Sequence, residues 1–198
     1  MIFGGQDRDV IIGGQGGDII FGDRGRVEYT DAQGRVVAVL GHGGPGDRTD
    51  GKVRAPSRIY TVDDTIGGND TIDGSTIGNG AATDTDIIFG GGNDDALKET
   101  NPETLRGGED NDILIGDYGM VTLFGGLPTR IETTSVQRGG NDVISGGSGD
   151  DFVLAGYGRD QIAGDAGRDV LFGDNGIVTF LGTFLATIAT TDPAIGDV

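Results

Sequence analysis

Aliphatic residues recur along this chain at intervals of nine, each two positions after an aspartate. The phased run Asp142, Asp151, Asp160 and Asp169 is followed in that slot by Ile144, Val153, Ile162 and Leu171. Asp9 and Asp18 are followed by Ile11 and Ile20, and Asp86 and Asp95 by Ile88 and Leu97. Asp70 and Asp112 head single units, with Ile72 and Leu114 in the aliphatic position. Each unit divides into two parts. A six-residue glycine-rich part must turn sharply, and glycine alone visits positive φ without steric cost. A three-residue part forms a short strand with one side chain directed inward. Two units make one coil of a parallel solenoid whose inward aliphatics stack into a narrow core.

A longer repeat lies over the short one. Gly22-Asp23-Arg24-Gly25-Arg26-Val27 recurs as Gly116-Asp117-Tyr118-Gly119-Met120-Val121 and as Gly173-Asp174-Asn175-Gly176-Ile177-Val178. In each, the text that follows leaves the nine-residue register and alternates β-branched with polar residues between Gly and Pro, which predicts strands. The rejoining text is also repeated: Arg58-Ile59 with Thr61 before Gly67-Gly68-Asn69-Asp70, and Arg130-Ile131 with Thr133 before Gly139-Gly140-Asn141-Asp142. The chain is therefore expected to be all-β, a parallel β-roll with inserted antiparallel hairpins. Roll repeats are predicted over 1–25, 67–120 and 139–177. Inserted strands and a loop occupy 26–66, and a hairpin 121–138, with its turn at Gly125-Gly126-Leu127-Pro128. A C-terminal hairpin and the start of a further repeat fill 178–198.

Composition sharpens this picture. Of 198 residues 41 are glycine, and 27 are aspartate against only 5 glutamate, giving a formal net charge of −18. No cysteine and a single histidine exclude a disulfide framework, a cysteine zinc site and a two-histidine metalloprotease motif. An acidic chain is a poor partner for nucleic acid, and no apolar run approaches the roughly 18 residues of a membrane-spanning helix. Gly41-His42-Gly43-Gly44-Pro45-Gly46 fits a dinucleotide fingerprint, but Asp47-Arg48-Thr49-Asp50-Gly51-Lys52 after it is no amphipathic helix. No catalytic constellation is encoded, so the chain is not expected to be an enzyme.

The unit Gly13-Gly14-Gln15-Gly16-Gly17-Asp18-Ile19-Ile20-Phe21 resembles the RTX, or hemolysin-type, calcium-binding nonapeptide GGxGxDxUx, and so does Gly146 to Leu154. The resemblance implies a right-handed β-solenoid with several Ca²⁺ ions between successive turns, held by carbonyls and carboxylates. Calcium takes six to eight oxygen ligands. Carried over residue by residue, the ligands are Asp9, Asp18, Asp70, Asp86, Asp95, Asp112, Asp142, Asp151, Asp160 and Asp169. Alternate units share an edge, so Asp142 and Asp160 fall on one and Asp151 and Asp169 on the other. Asp23, Asp117, Asp165 and Asp174 stand second in GDxG variants and are candidate additional ligands. The implied function is a calcium-dependent structural protein of the bacterial exterior, secreted or at the cell surface. It would be part of a surface layer, adhesin, matrix or filament, with copies of itself or adjacent repeats stacked end to end. The alternative is the accessory RTX region of a secreted toxin or hydrolase whose catalytic domain lies outside this chain.

Overall fold

A three-residue strand is stable only when flanked by others, and the chain supplies those neighbours by coiling. The computed structural model describes residues 1–41, 47–74, 85–93 and 103–191. The predicted ligand Asp95 with Leu97, the loop residue His42 and the expected further repeat at Gly196–Val198 lie outside the described residues. The chain first lays down β1 (Ile2–Phe3), β2 (Val10–Ile12) and β3 (Ile19–Phe21). It then departs into β4 (Gly25–Thr30), β5 (Val36–Gly41) and β6 (Arg58–Thr61). Coiling resumes with β7 (Thr71–Asp73), β8 (Ile87–Phe89), β9 (Glu103–Glu109) and β10 (Ile113–Ile115). A hairpin, β11 (Gly119–Phe124) and β12 (Leu127–Thr133), precedes β13 (Asp142–Ser148), β14 (Phe152–Leu154), β15 (Gln161–Ala166) and β16 (Val170–Phe172). The last hairpin is β17 (Gly176–Leu181) and β18 (Phe184–Thr190). Among the described residues no helix is long and apolar enough to cross a membrane.

Two sheets are wholly parallel and follow the chain in order: β1-β3-β8-β10-β14-β16, and β2-β7-β9-β13-β15. Between them lies the roll core, built from the aliphatic slots Ile20, Ile88, Leu114 and Val153 of one sheet and Ile11, Ile72, Leu105 and Ile144 of the other. Leu105, nine residues before Leu114 but headed by Glu103 rather than an aspartate, pairs with both Ile72 and Ile144 and fills the slot between them.

The insertions do not stand apart as separate hairpins. They join edge to edge into a third, antiparallel sheet, β5-β4-β6-β11-β12-β17-β18. An unbroken register row crosses it: Leu40, Val27, Ile59, Val121, Ile131, Val178, Ile188. This row packs on the outer face of the first parallel sheet, where Phe21, Phe89, Ile115, Leu154 and Phe172 stand in register. The rings of Phe3, Phe21 and Phe89 stack, with centroids 5.0 and 4.9 Å apart. The first sheet is thus buried on both faces, and its strands read IIF, IIF, ILI, FVL and VLF, continuous apolar runs as parallel sheets between two layers require.

Spacing explains why the layers fit. Strands sit about 4.8 Å apart in any sheet, so one two-stranded hairpin covers two coils, and insertions leave the roll after every second strand of the first sheet: β3, β10 and β16. Thr61 and Thr133 stitch successive insertions, each hydroxyl oxygen accepting the N–H of the next one's first glycine, Gly119 (3.0 Å) and Gly176 (3.1 Å). That glycine is needed because a Cβ would strike Ile115 in one case and Phe172 in the other. The β11–β12 turn is tighter than the sequence suggests. Gly125 and Gly126, at φ 62° and 84°, form it alone, and Leu127 and Pro128 already belong to β12.

Candidate metal-binding turns

The predicted aspartates fall into two files, one along each edge of the roll. Asp18, Asp86, Asp112, Asp151 and Asp169 precede strands of the first sheet, whereas Asp9, Asp70, Asp142 and Asp160 begin or precede strands of the second. Backbone pairing aligns Glu103 with Asp142, so a glutamate position occupies the aspartate register between Asp70 and Asp142.

Each file is stitched by one carboxylate oxygen. Asp86 Oδ1 accepts the N–H of Asp18 (2.7 Å), Asp112 Oδ1 that of Asp86 (2.9 Å), Asp151 Oδ1 that of Asp112 (2.8 Å) and Asp169 Oδ1 that of Asp151 (3.1 Å). On the other edge Asp70 Oδ1 accepts from Asp9 (2.7 Å) and Asp160 Oδ1 from Asp142 (3.0 Å). A second ladder runs the opposite way from the residue before each aspartate. Asn111 Oδ1 accepts the N–H of Asp150, Asp150 Oδ1 that of Arg168, and Asn141 Oδ1 that of Arg159. A short acceptor at this position therefore ties each coil to the next, which accounts for the repeated Asn-Asp pairs.

In three of these aspartates the other carboxylate oxygen is left for something else. The Oδ2 atoms of Asp18, Asp112 and Asp151 are buried and accept no hydrogen bond. Around the first glycine of each turn the same two oxygens converge. A Cβ on Gly107 would collide with Asp112 Oδ2 and the Gly146 carbonyl, and one on Gly146 with Asp151 Oδ2 and the Gly164 carbonyl. Gly74 repeats this with Asp86 and Gly107, Gly22 with Asp70 and Gly90, and Gly116 with Asp142 and Ala155. At Asp112 and Asp151 this sets a buried anionic oxygen without a hydrogen bond beside a carbonyl of the next coil, an uncompensated arrangement that an oxygen-seeking cation fits. Among the described residues no three carboxylate or imidazole side chains converge as a cluster, so the backbone must supply much of any ligand set.

Electrostatics agrees with this reading. Burial pushes the Asp112 carboxyl up to about 8, and the charges of Asp86, Asp151 and Asp110 add to it against the opposing hydrogen bond. Burial also lifts Asp70 to about 6 and raises Asp151. Without a cation the folded state favours the protonated acids, while the unfolded chain ionises near pH 4. The metal-free fold therefore loses stability as pH rises from about 4 to about 8, and acidification restores it. In excess chelator, far-UV circular dichroism is expected to gain strand signal as pH falls through that window. A chelated protein whose spectrum is independent of pH there would contradict these shifts.

Asp112→Asn separates the two oxygens' roles. The amide keeps an acceptor for the Asp86 N–H but removes the anionic oxygen. It is expected to raise the calcium midpoint about tenfold, the equivalent of one lost charge-assisted contact of about 1.4 kcal/mol, while leaving the chelated protein no less folded than wild type. A calcium titration followed by circular dichroism checks both halves.

The additional candidates divide by conformation. Asp165 takes φ 65° in the second turn position, where Gly14 and Gly147 also have positive φ, and its carboxylate accepts from the Ser145 hydroxyl. It serves the turn, since aspartate is among the few residues that tolerate this region. Asp23 and Asp117 are buried where insertions leave the roll. Asp23 accepts the N–H groups of Gly68 (2.9 Å) and Gly92 (2.8 Å), and Asp117 those of Gly140 (2.8 Å) and Tyr157 (2.5 Å). Each carboxylate clamps the rejoining turn to the following coil. Burial drives Asp23 up to about 8 and Asp117 well above the usual range. These clamps were indistinguishable from ligands in sequence. Their signal is the pairing of GDxG with a GGND about two dozen or more residues later.

The family model for the RTX calcium-binding nonapeptide repeat matches the chain in four copies, at residues 1–26, 101–127, 138–160 and 145–179. No curated protein and no solved structure gives a significant match.

Proposed function

This chain carries RTX calcium-binding nonapeptide repeats and is a calcium-binding repeat protein, and from that premise we propose that it is a structural element of the bacterial exterior. It folds on Ca²⁺, and it contributes to a surface layer, adhesin, matrix or filament through end-to-end association. Asp9, Asp18, Asp70, Asp86, Asp112, Asp142, Asp151, Asp160 and Asp169 would hold the ions together with turn carbonyls. The bound cations would supply the positive charge that the buried carboxylates lack.

The observation that carries the reading is the repeated pairing of an aspartate Oδ2 with a next-coil carbonyl along both edges. Cytosol is calcium-poor, and RTX repeats are typical of secreted bacterial proteins, which supports an exterior location. The aliphatic rows that run the length of all three sheets support a structural rather than a catalytic role.

Protein moved from chelator into millimolar calcium should fold and then form ordered end-to-end particles under negative-stain microscopy. A folded protein that stays strictly monomeric at high concentration would instead favour the accessory region of a secreted toxin or hydrolase. The outer edge of β5, already taken at Val39 by the Arg48 bridge, is the feature that keeps this second reading open.

A further inference from the structure

The first insertion has a charge balance unlike the rest of the chain. Residues 25–61, from β4 through β6, hold six basic and four acidic side chains, which leaves eight basic against 28 acidic elsewhere. The stretch 48–58 is the most basic part, with Arg48, Lys52, Arg54 and Arg58 against Asp50 alone. Charges more than about 8 Å apart are largely screened at physiological ionic strength. This stretch therefore governs the potential beside it in spite of the net charge of −18.

A groove of about 620 Å³ opens there to solvent, between the β4–β5 turn, segment 52–57 and the tip of the β11–β12 hairpin. Its walls are held in place by the chain's own bonds. Asp31 accepts the N–H groups of Gln33 and Arg35, both at 2.9 Å, and pairs with the Arg35 guanidinium. Asp50 accepts from both terminal nitrogens of Arg54, at 3.1 and 2.9 Å. The Ser57 carbonyl accepts the Leu123 N–H (2.9 Å) and ties the hairpin to segment 52–57. Two side chains are left over. Lys52 is exposed and forms no ion pair among the described residues. Phe124 is 84% exposed, although its hairpin is paired on both sides, by β6 and β17. Its exposure is therefore not that of a strand at the end of a sheet.

We propose that this groove binds an acidic sugar residue, a hexuronate of an anionic polysaccharide. The ligand and the groove match in three respects. The carboxylate of the sugar meets the Lys52 ammonium, with the Arg54 guanidinium also lining the groove. Its hydroxyls find the Thr30 hydroxyl and the Gln33 amide. One face of the sugar ring presents polarised C–H groups, which the negative face of an aromatic ring attracts, and Phe124 supplies that ring beside Pro56. A run of acidic peptide would use the cations and leave the ring idle, and a neutral glycan would do the reverse. The volume lies within the range of about 300–1,000 Å³ found for small-ligand sites. None of the aspartates in the two files lines the groove. The inference thus goes beyond the structural role proposed above and stands apart from the calcium assignment.

The test is isothermal titration calorimetry of the full chain with trigalacturonate and with trimannuronate. Calcium and pH are held at values that give a strand spectrum, so failure of the calcium reading leaves the test intact. Wild type is expected to bind a uronate trimer at least about tenfold more tightly than the neutral trisaccharide maltotriose. Lys52→Glu and Phe124→Ser, both at exposed positions, are expected to keep the strand spectrum and to weaken uronate binding about tenfold or more. Absence of binding by both uronates at millimolar concentration overturns the proposal, and so does binding that neither substitution changes. Triglutamate binding as tight as the uronate also overturns it and makes the groove a site for acidic peptide.

Discussion

Excess chelator at neutral to mildly alkaline pH is expected to replace the strand spectrum with that of a disordered chain, and restored calcium to reverse the change. The driving force for folding is modest in this design. Most coils bury one inward aliphatic per three-residue strand, and the outer apolar rows are covered only once the insertions have paired. Against this stand carboxylates packed coil upon coil, of which Asp70, Asp86, Asp112, Asp142 and Asp151 are buried. Desolvating an ionised carboxylate without compensation costs several kcal/mol. The shifts at Asp70 and Asp112 show the folded state resisting that charge. A divalent cation between coils reverses the balance, and its binding free energy becomes folding free energy. A strand spectrum that persists in excess chelator at this pH would sink the calcium reading.

Asp117→Ala is expected to be the most damaging single substitution, and its effect should persist in saturating calcium. The carboxylate accepts two backbone N–H groups, a buried one from the rejoining turn at Gly140 and a half-buried one from the next coil at Tyr157. Leaving each unsatisfied costs about 1–3 kcal/mol, against a typical total stability of about 5–15 kcal/mol. Asp117→Asn keeps one acceptor and turns an N–H₂ toward the other donor, so an intermediate loss follows. Urea unfolding in saturating calcium measures both. If Asp117 served chiefly as a metal ligand, the loss would instead appear as a higher calcium midpoint, with stability recovered at saturation.

The two roles of aspartate show where sequence reading stops. Asp112 and Asp117 stand five residues apart in one stretch, yet Asp112 sits in the stitched file and Asp117 closes a chain break. The aliphatic slot two positions on, Leu114 against Gly119, picks out the first. The second depends on Gly140 and Tyr157 arriving beside it, which happens only after the β11–β12 hairpin has folded back. Leu105 shows the reverse case, a core position in phase with Leu114 that an aspartate-headed search misses because Glu103 stands where the aspartate should, and strand pairing with Ile72 and Ile144 reveals it.

What the sequence determined by itself is everything that repeats locally: the turn glycines, the inward aliphatic slot, the aspartate files and the places where the chain leaves the roll. These are encoded within nine residues, because turn conformation and strand alternation are local properties. That the insertions merge into one sheet, and that this sheet seals the outer face of IIF, ILI and FVL strands, were decided by tertiary structure. The apolar triplets were present in the chain throughout. Their second partner is a register between segments 62 or 47 residues apart, Ile59 with Val121 and Ile131 with Val178, set by the common strand spacing of two stacked sheets.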